Sequence, residues 1–181
     1  MLRMLLGALG AAFLMFMWGF AFWGAGVVDP ARHMSAEGET AIADALRAHT
    51  PEHGLYFVPD MKNGAESEAA ARMAQGPFAM IYVKPSGAAM GDPAVMGMGF
   101  AHMFVTAVLI GVILTWVLPA TPGWMDRFKL VALIGATATI FAVLSHPIWW
   151  HHAWSTSMYF AVYDFVSYLI AGAVMAWAVR A

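Results

Sequence analysis

The chain has 181 residues, 61% of them hydrophobic and 11% charged, with a net charge of −2 and no cysteine. A soluble domain carries roughly 25% charged residues, so this chain has too little polar surface to cover a water-soluble globule, and its mean hydropathy of +0.68 places it among integral membrane proteins. The missing cysteines exclude disulfides, thiolate zinc sites, iron–sulfur clusters and haem attached through Cys-x-x-Cys-His, and the near-neutral charge offers no footprint for nucleic acid.

Four stretches reach the roughly 20 apolar residues that a bilayer crossing needs. The first predicted span runs from Met4 to Val28 and carries no charge. Its apolar run is longer than the core of about 7–15 residues in a signal peptide, and its tryptophans make a poor cleavage site, so it reads as a retained anchor. A polar insert, residues 29–94, follows. The second span runs from Val95 to Leu118 and is ended by Pro119 and Pro122, because proline lacks the N–H and restricts the residue before it. The third runs from Phe128 to Trp150. The fourth runs from Ser155 to Val179 and contains one acid, Asp164. The domains expected are a first transmembrane helix (1–28), the insert (29–94) and transmembrane helices 2–4 (95–181).

Within the insert, SAEGETAIADALRAH puts Ile42, Ala45 and Leu46 on one helical face, with Ser35 as N-cap and Pro51 as the stop. GLYFV (Gly54 to Val58) and PFAMIYV (Pro77 to Val83) read as short strands, rich in aromatic and β-branched residues. ESEAAARMAQ between them reads as a helix closed by Gly76. The order helix, strand, helix, strand makes a small α+β unit, whose roughly 65 residues form a marginal core alone. The expected fold class is therefore an all-α membrane protein: a four-transmembrane-helix bundle with a small α+β periplasmic insert between helices 1 and 2.

Orientation follows from lysine and arginine in the short flanks. Arg3 precedes span one, Arg127 and Lys129 lie between spans two and three, and Arg180 follows span four. With four spans these places share one side, expected to be cytoplasmic, with both termini there and residues 29–94 periplasmic, in a bacterial inner membrane. The insert's nine acids against five Lys/Arg fit the outer side. Tryptophans prefer the headgroup layer. Trp18, Trp23, Trp149, Trp150 and Trp154 would mark the outer boundary, and Trp116, Trp124 and Trp177 the inner one.

Ionisable groups inside a bilayer are costly and so point to function. His102 and Asp164 both lie roughly 10–14 Å below the outer surface at 1.5 Å per residue, close enough in depth to meet. Small and hydroxyl-bearing residues share their faces: Gly99, His102 and Thr106 in span two; Gly135, Thr139, Ala142 and His146 in span three; Ser157, Ala161, Asp164, Tyr168 and Gly172 in span four. Such faces pack helix on helix. The expectation is a buried polar pair, His102 and Asp164, with Tyr168 as a further donor. It either relays a proton or holds a ligand, or it simply locks the bundle.

The segment SHPIWWHHAWSTSMYFAVYDF, Ser145 to Phe165, holds three histidines. His146, His151, His152 and His102, with Met96, Met98 and Met103, are ligand types suited to copper, and histidine also serves haem. The plainer alternative is a helix end in the headgroup layer, with Pro147 ending the helix and the methionines serving as packing. No Gly-rich phosphate loop, H-E-x-x-H or G-x-S-x-G motif is present, and His33, His49 and His53 read as surface residues.

MFMWGFAFWG in span one, GLYFVP and GPFAMIYVKPSG in the insert, and the Trp-containing turn before the last span resemble a family of small bacterial inner-membrane proteins with four spans. The resemblance implies the four-span layout and carries no activity or catalytic residues. The function expected is non-enzymatic: an accessory or scaffolding subunit of a larger envelope complex, respiratory or photosynthetic, with membrane lipids and other membrane subunits or a second copy as partners, and no nucleic acid. No cofactor is required by this reading. The alternatives are copper or haem handling on the periplasmic side, and a small proton-coupled carrier built on His102 and Asp164.

Overall fold

A computed structural model describes residues 1–24 and 31–180. The chain divides into two compact units, Met1–Ala31 with Pro93–Ala181, and Arg32–Asp92. The expected junction between residues 28 and 29 lies outside the described residues.

The first unit contains four helices long and apolar enough to cross a membrane. They are α1 (Leu2–Gly24), α4 (Pro93–Trp116), α5 (Trp124–Ala142, continued by the short α6, Ser145–Trp149) and α7 (Trp154–Ala178). The third span is thus two pieces rather than one straight rod. Pro147 has no N–H to give the carbonyl of Val143 and its ring crowds that carbonyl. The backbone instead bonds irregularly, with the Leu144 N–H on the Thr139 oxygen at 3.2 Å and the His146 N–H on the Val143 oxygen at 3.2 Å. The expected face residue Ala142 is consequently exposed, and Val143 takes the buried place. At its other end α5 starts earlier than expected, at Trp124. There the Asp126 carboxylate accepts the Gly123 N–H at 3.1 Å and supplies the anionic first turn that a helix start favours.

Helix α7 is central. It packs along α1 and α5, α1 also packs along α4, and α4 touches α7 over a shorter length; α4 and α5 do not pack on each other to any extent. Small residues set these approaches. Ala8, Ala11, Ala12 and Met15 of α1, Ala107, Ile110, Gly111 and Leu114 of α4, and Ala171 and Met175 of α7 are buried. A methyl group added at Gly111 would come within 2.7 Å of Met175 Cε and 2.8 Å of Met4 Cγ. One at Gly172 would meet Val131 Cβ at 3.1 Å, and one at Gly135 would overlap Tyr168. Close backbone approach, rather than a hydrophobic drive, is what brings helices together in lipid.

The second unit has the expected order: α2 (Ala36–His49), β1 (Gly54–Val58), α3 (Glu66–Gln75) and β2 (Ala79–Val83). Ser35 caps α2 by accepting the Gly38 N–H at 3.2 Å. Gly76 closes α3 at φ 71°, a left-handed conformation that glycine adopts without a Cβ penalty. The strands pair antiparallel, Gly54 opposite Val83 and Val58 opposite Ala79. β2 starts two residues later than expected, because Pro77 has no N–H for a ladder. Few apolar side chains are buried in this unit. Ala69 is enclosed, but Ile42 and Ala45, expected to face a core, are exposed, and Leu46 is half-buried.

Candidate functional site

α4 and α7 leave a cavity of about 200 Å³ between their N-terminal halves, on the N-terminal side of the close approach at Gly111 in α4, with Met15 of α1 in its wall. His102, Met103 and Thr106 of α4 and Tyr163, Asp164, Ser167 and Tyr168 of α7 also line it. His102 follows the first residue of α4 by nine positions and Asp164 follows that of α7 by ten, which puts them at roughly the same depth, about 14–15 Å from the helix starts. The three residues expected as a polar group, His102, Asp164 and Tyr168, therefore share one cavity.

Their burial differs. Asp164 and Tyr168 are half-buried, whereas the His102 side chain is exposed at the rim. Two hydroxyls beside them are already committed to their own helices: Thr106 Oγ1 donates to the His102 carbonyl at 3.0 Å, and Ser167 Oγ donates to the Tyr163 carbonyl at 2.8 Å. Imidazole, carboxyl and phenol remain to engage an occupant, and the two hydroxyls can still accept a hydrogen bond from it.

The outward face of α4 next to this cavity is open. A methyl group added at Gly97 or Gly99 would meet nothing within 4 Å. Gly99 and His102 were expected to pack inside the bundle, like Gly135 and Thr139 of α5 and Ser157, Ala161 and Gly172 of α7, which are buried. Gly99 is instead half-buried and His102 exposed, in keeping with α5 packing on α7 rather than on α4.

The candidate metal ligands fall into separate groups. The rings of His146 and His152 lie 5.0 Å apart across the α6–α7 turn, where His151 takes a left-handed φ of 55°. His102 and Met103 belong to the α4–α7 cavity, and Met96 and Met98 are exposed on the first turns of α4. No group of three or more His, Asp or Glu is placed to hold a metal ion among the described residues.

Of the five tryptophans expected at one membrane boundary, Trp149, Trp150 and Trp154 are exposed around that turn. Trp23 is exposed as well, and Trp18 is half-buried; both also join an aromatic cluster between α1 and α7. Trp18 donates its indole N–H to the Tyr163 carbonyl at 3.3 Å, Tyr159 donates to the Phe22 carbonyl at 3.1 Å, and Trp23 stands 5.4 Å from the Tyr163 ring. This cluster backs the cavity and was not anticipated. Its signal was available in the i, i+4 spacing of Trp18 with Phe22 and of Tyr159 with Tyr163.

At the other end of the bundle Arg127 is buried, with no carboxylate partner among the described residues. It donates to the carbonyls of Ala176 (3.0 Å), Thr121 (2.7 Å) and Pro122 (2.8 Å). It thereby caps the C-terminal end of α7, where the helix dipole favours a cation.

The chain matches no family model, no curated protein and no solved structure. The residues and their geometry carry the functional reading.

Proposed function

We propose that the chain is a non-enzymatic accessory or scaffolding subunit of a larger envelope complex, docked through the outer half of α4. The observation that supports this most is the open face formed by Gly99 and His102 beside the Asp164 cavity. An imidazole exposed to hydrocarbon is costly, and glycines on an outward helix face gain nothing from lipid. A partner transmembrane helix from another subunit or a second copy would use both, the glycines for close approach and His102 for a hydrogen bond. The exposed apolar residues of the 32–92 unit, such as Ile42 and Tyr82, offer the partner a second contact. In this reading the membrane is a bacterial inner membrane, the end bearing Arg3, Arg127 and Arg180 is cytoplasmic, and residues 29–94 are periplasmic. A respiratory or photosynthetic complex is the setting.

Gentle extraction from native membranes, with proteomics and metal analysis on one sample, tests the reading. The expected result is a stoichiometric partner that is lost in Gly99→Leu while the chain remains folded. A partner retained in both Gly99→Leu and His102→Ala would overturn docking on α4.

The cavity itself favours a second reading, a small proton-coupled carrier in which His102 and Asp164 exchange the proton. Asp164→Asn would then abolish transport at normal protein level, and unchanged transport would remove it. The His146–His152 pair and the His102–Met103 pair are the places where copper or haem handling would reside. Metal near one equivalent, reduced by His102→Ala or His146→Ala, is its requirement.

A further inference from the structure

Two arginines distant in sequence converge at the end of the bundle opposite the His102–Asp164 cavity. Arg3 begins α1 and Arg180 follows α7, and both face one indole: their guanidinium carbons lie 5.1 and 5.9 Å from the Trp177 ring centroid. Arg3 also donates to the Trp177 carbonyl at 2.7 Å. Both line a cavity of about 400 Å³ where the start of α1 meets the ends of α4 and α7, and among the described residues no Asp or Glu lines it. Each guanidinium gains from the indole, but the two cations repel each other, and a bound anion would relieve that repulsion.

We infer that this cavity binds a phosphate oxyanion, that of an anionic phospholipid, with Arg3 and Arg180 as its two arms. Guanidinium groups hold phosphate oxygens through paired N–H donors, and basic pockets between helices at a membrane boundary take such headgroups. Three of the carbonyls at the end of α7, which would otherwise repel an anion, already accept a donor. Arg127 holds the Ala176 oxygen, Arg3 holds the Trp177 oxygen, and the Val179 N–H holds the Met175 oxygen. The start of α1 adds the positive end of a helix dipole. The rest of the wall is mostly apolar, with Met4, Val112, Leu118 and an exposed Trp116, and its Thr115 hydroxyl donates to the Gly111 carbonyl at 2.8 Å. That wall suits acyl chains leaving the headgroup toward the bilayer, which is why a lipid rather than free phosphate is assigned.

The test is a titration of the full chain in neutral detergent with short-chain phosphatidylglycerol, short-chain phosphatidylcholine and inorganic phosphate, read by native mass spectrometry and by melting temperature. The expected result is saturable phosphatidylglycerol binding, about tenfold tighter than phosphatidylcholine, in line with the gain from one to two basic side chains at an anionic surface. Arg3→Gln with Arg180→Gln should abolish that preference. Arg3→Lys with Arg180→Lys, which keeps the charge, should retain part of it, and Lys129→Gln should retain all of it. Inorganic phosphate that competes as well as the lipid would overturn the lipid assignment in favour of free phosphate. Equal binding of the two lipids, or a preference that survives the double glutamine variant with an unchanged melt, would overturn the site.

Discussion

Gly135→Ala tests the packing that leaves α4 with an open face. A methyl at residue 135 would overlap Tyr168 Cβ and lie 2.6 Å from its Cγ. These atoms sit next to the α7 backbone, so no rotamer change moves them away and α7 itself must shift from α5. Overpacking of this kind costs about 1–3 kcal/mol. Gly99→Ala is the matched control, because a methyl there meets nothing within 4 Å. Both changes exchange glycine for alanine inside an apolar helix, so the propensity gain of up to about 1 kcal/mol cancels between them. Gly135→Ala should therefore be less stable than Gly99→Ala by about 1–3 kcal/mol, or roughly 5- to 150-fold in the unfolding equilibrium. Reversible unfolding of the chain in bicelles, scored by steric trapping or by dodecyl sulfate titration, measures the difference. Equal stability of the two variants would refute the α5–α7 contact and with it the placement of α5 away from α4.

Other expectations follow from single side chains. Arg127→Met should cost on the order of 3 kcal/mol or more in the same unfolding assay, since three carbonyls lose a charged donor; a loss below about 1 kcal/mol would mean that water replaces the guanidinium. Thr139 Oγ1 is buried without a hydrogen-bond partner, so Thr139→Val, which keeps the shape, should be neutral or stabilise by about 1 kcal/mol, and clear destabilisation would reveal a partner for that hydroxyl. The Glu37 carboxyl is held below its ordinary value of 4.5 by its own backbone N–H and then by Ser35. Because the folded value is the lower one, its support for the start of α2 is complete above the ordinary value and is lost as pH falls through the depressed one. Amide exchange in the first turn of α2 should accelerate over that acidic window in the native chain and stay flat in Glu37→Gln; parallel profiles would count against it.

Local signals made much of the architecture legible. Ser35, Pro51 and Gly76 punctuate the insert, and its four elements fall where these residues and the aromatic runs put them. The four long helices follow from apolar length alone. What stayed hidden depends on which helix neighbours which. α4 and α5 are apolar around most of their circumference, so periodicity could name a small-residue face on each but not whether a neighbour covers it. Gly135 meets Tyr168 of α7 and Thr139 is buried, whereas Gly99 is half-buried with room beside it and His102 stands exposed at the rim of the cavity. The shared depth of His102 and Asp164 could be read by counting residues. The exposure of His102 could not, because it depends on the separation of α4 from α7. Arg127 was legible only as an orientation marker, since its three carbonyl partners come from a loop and from the end of a helix 49 residues away. The pairing of His146 with His152 needs the turn after Pro147, a feature of the folded backbone.

The central claim, that a partner helix covers the N-terminal half of α4, is tested most directly by photo-crosslinking in native membranes. A benzophenone side chain would replace Val105, which is 55% exposed on α4 next to His102, and in a parallel strain Leu133, which is 66% exposed on α5. The account predicts one discrete protein adduct from residue 105, either another subunit or a second copy, that disappears when Gly99→Leu is added, and lipid adducts alone from residue 133. Lipid adducts alone from both positions would contradict it and return the His102–Asp164 cavity to a ligand or a proton.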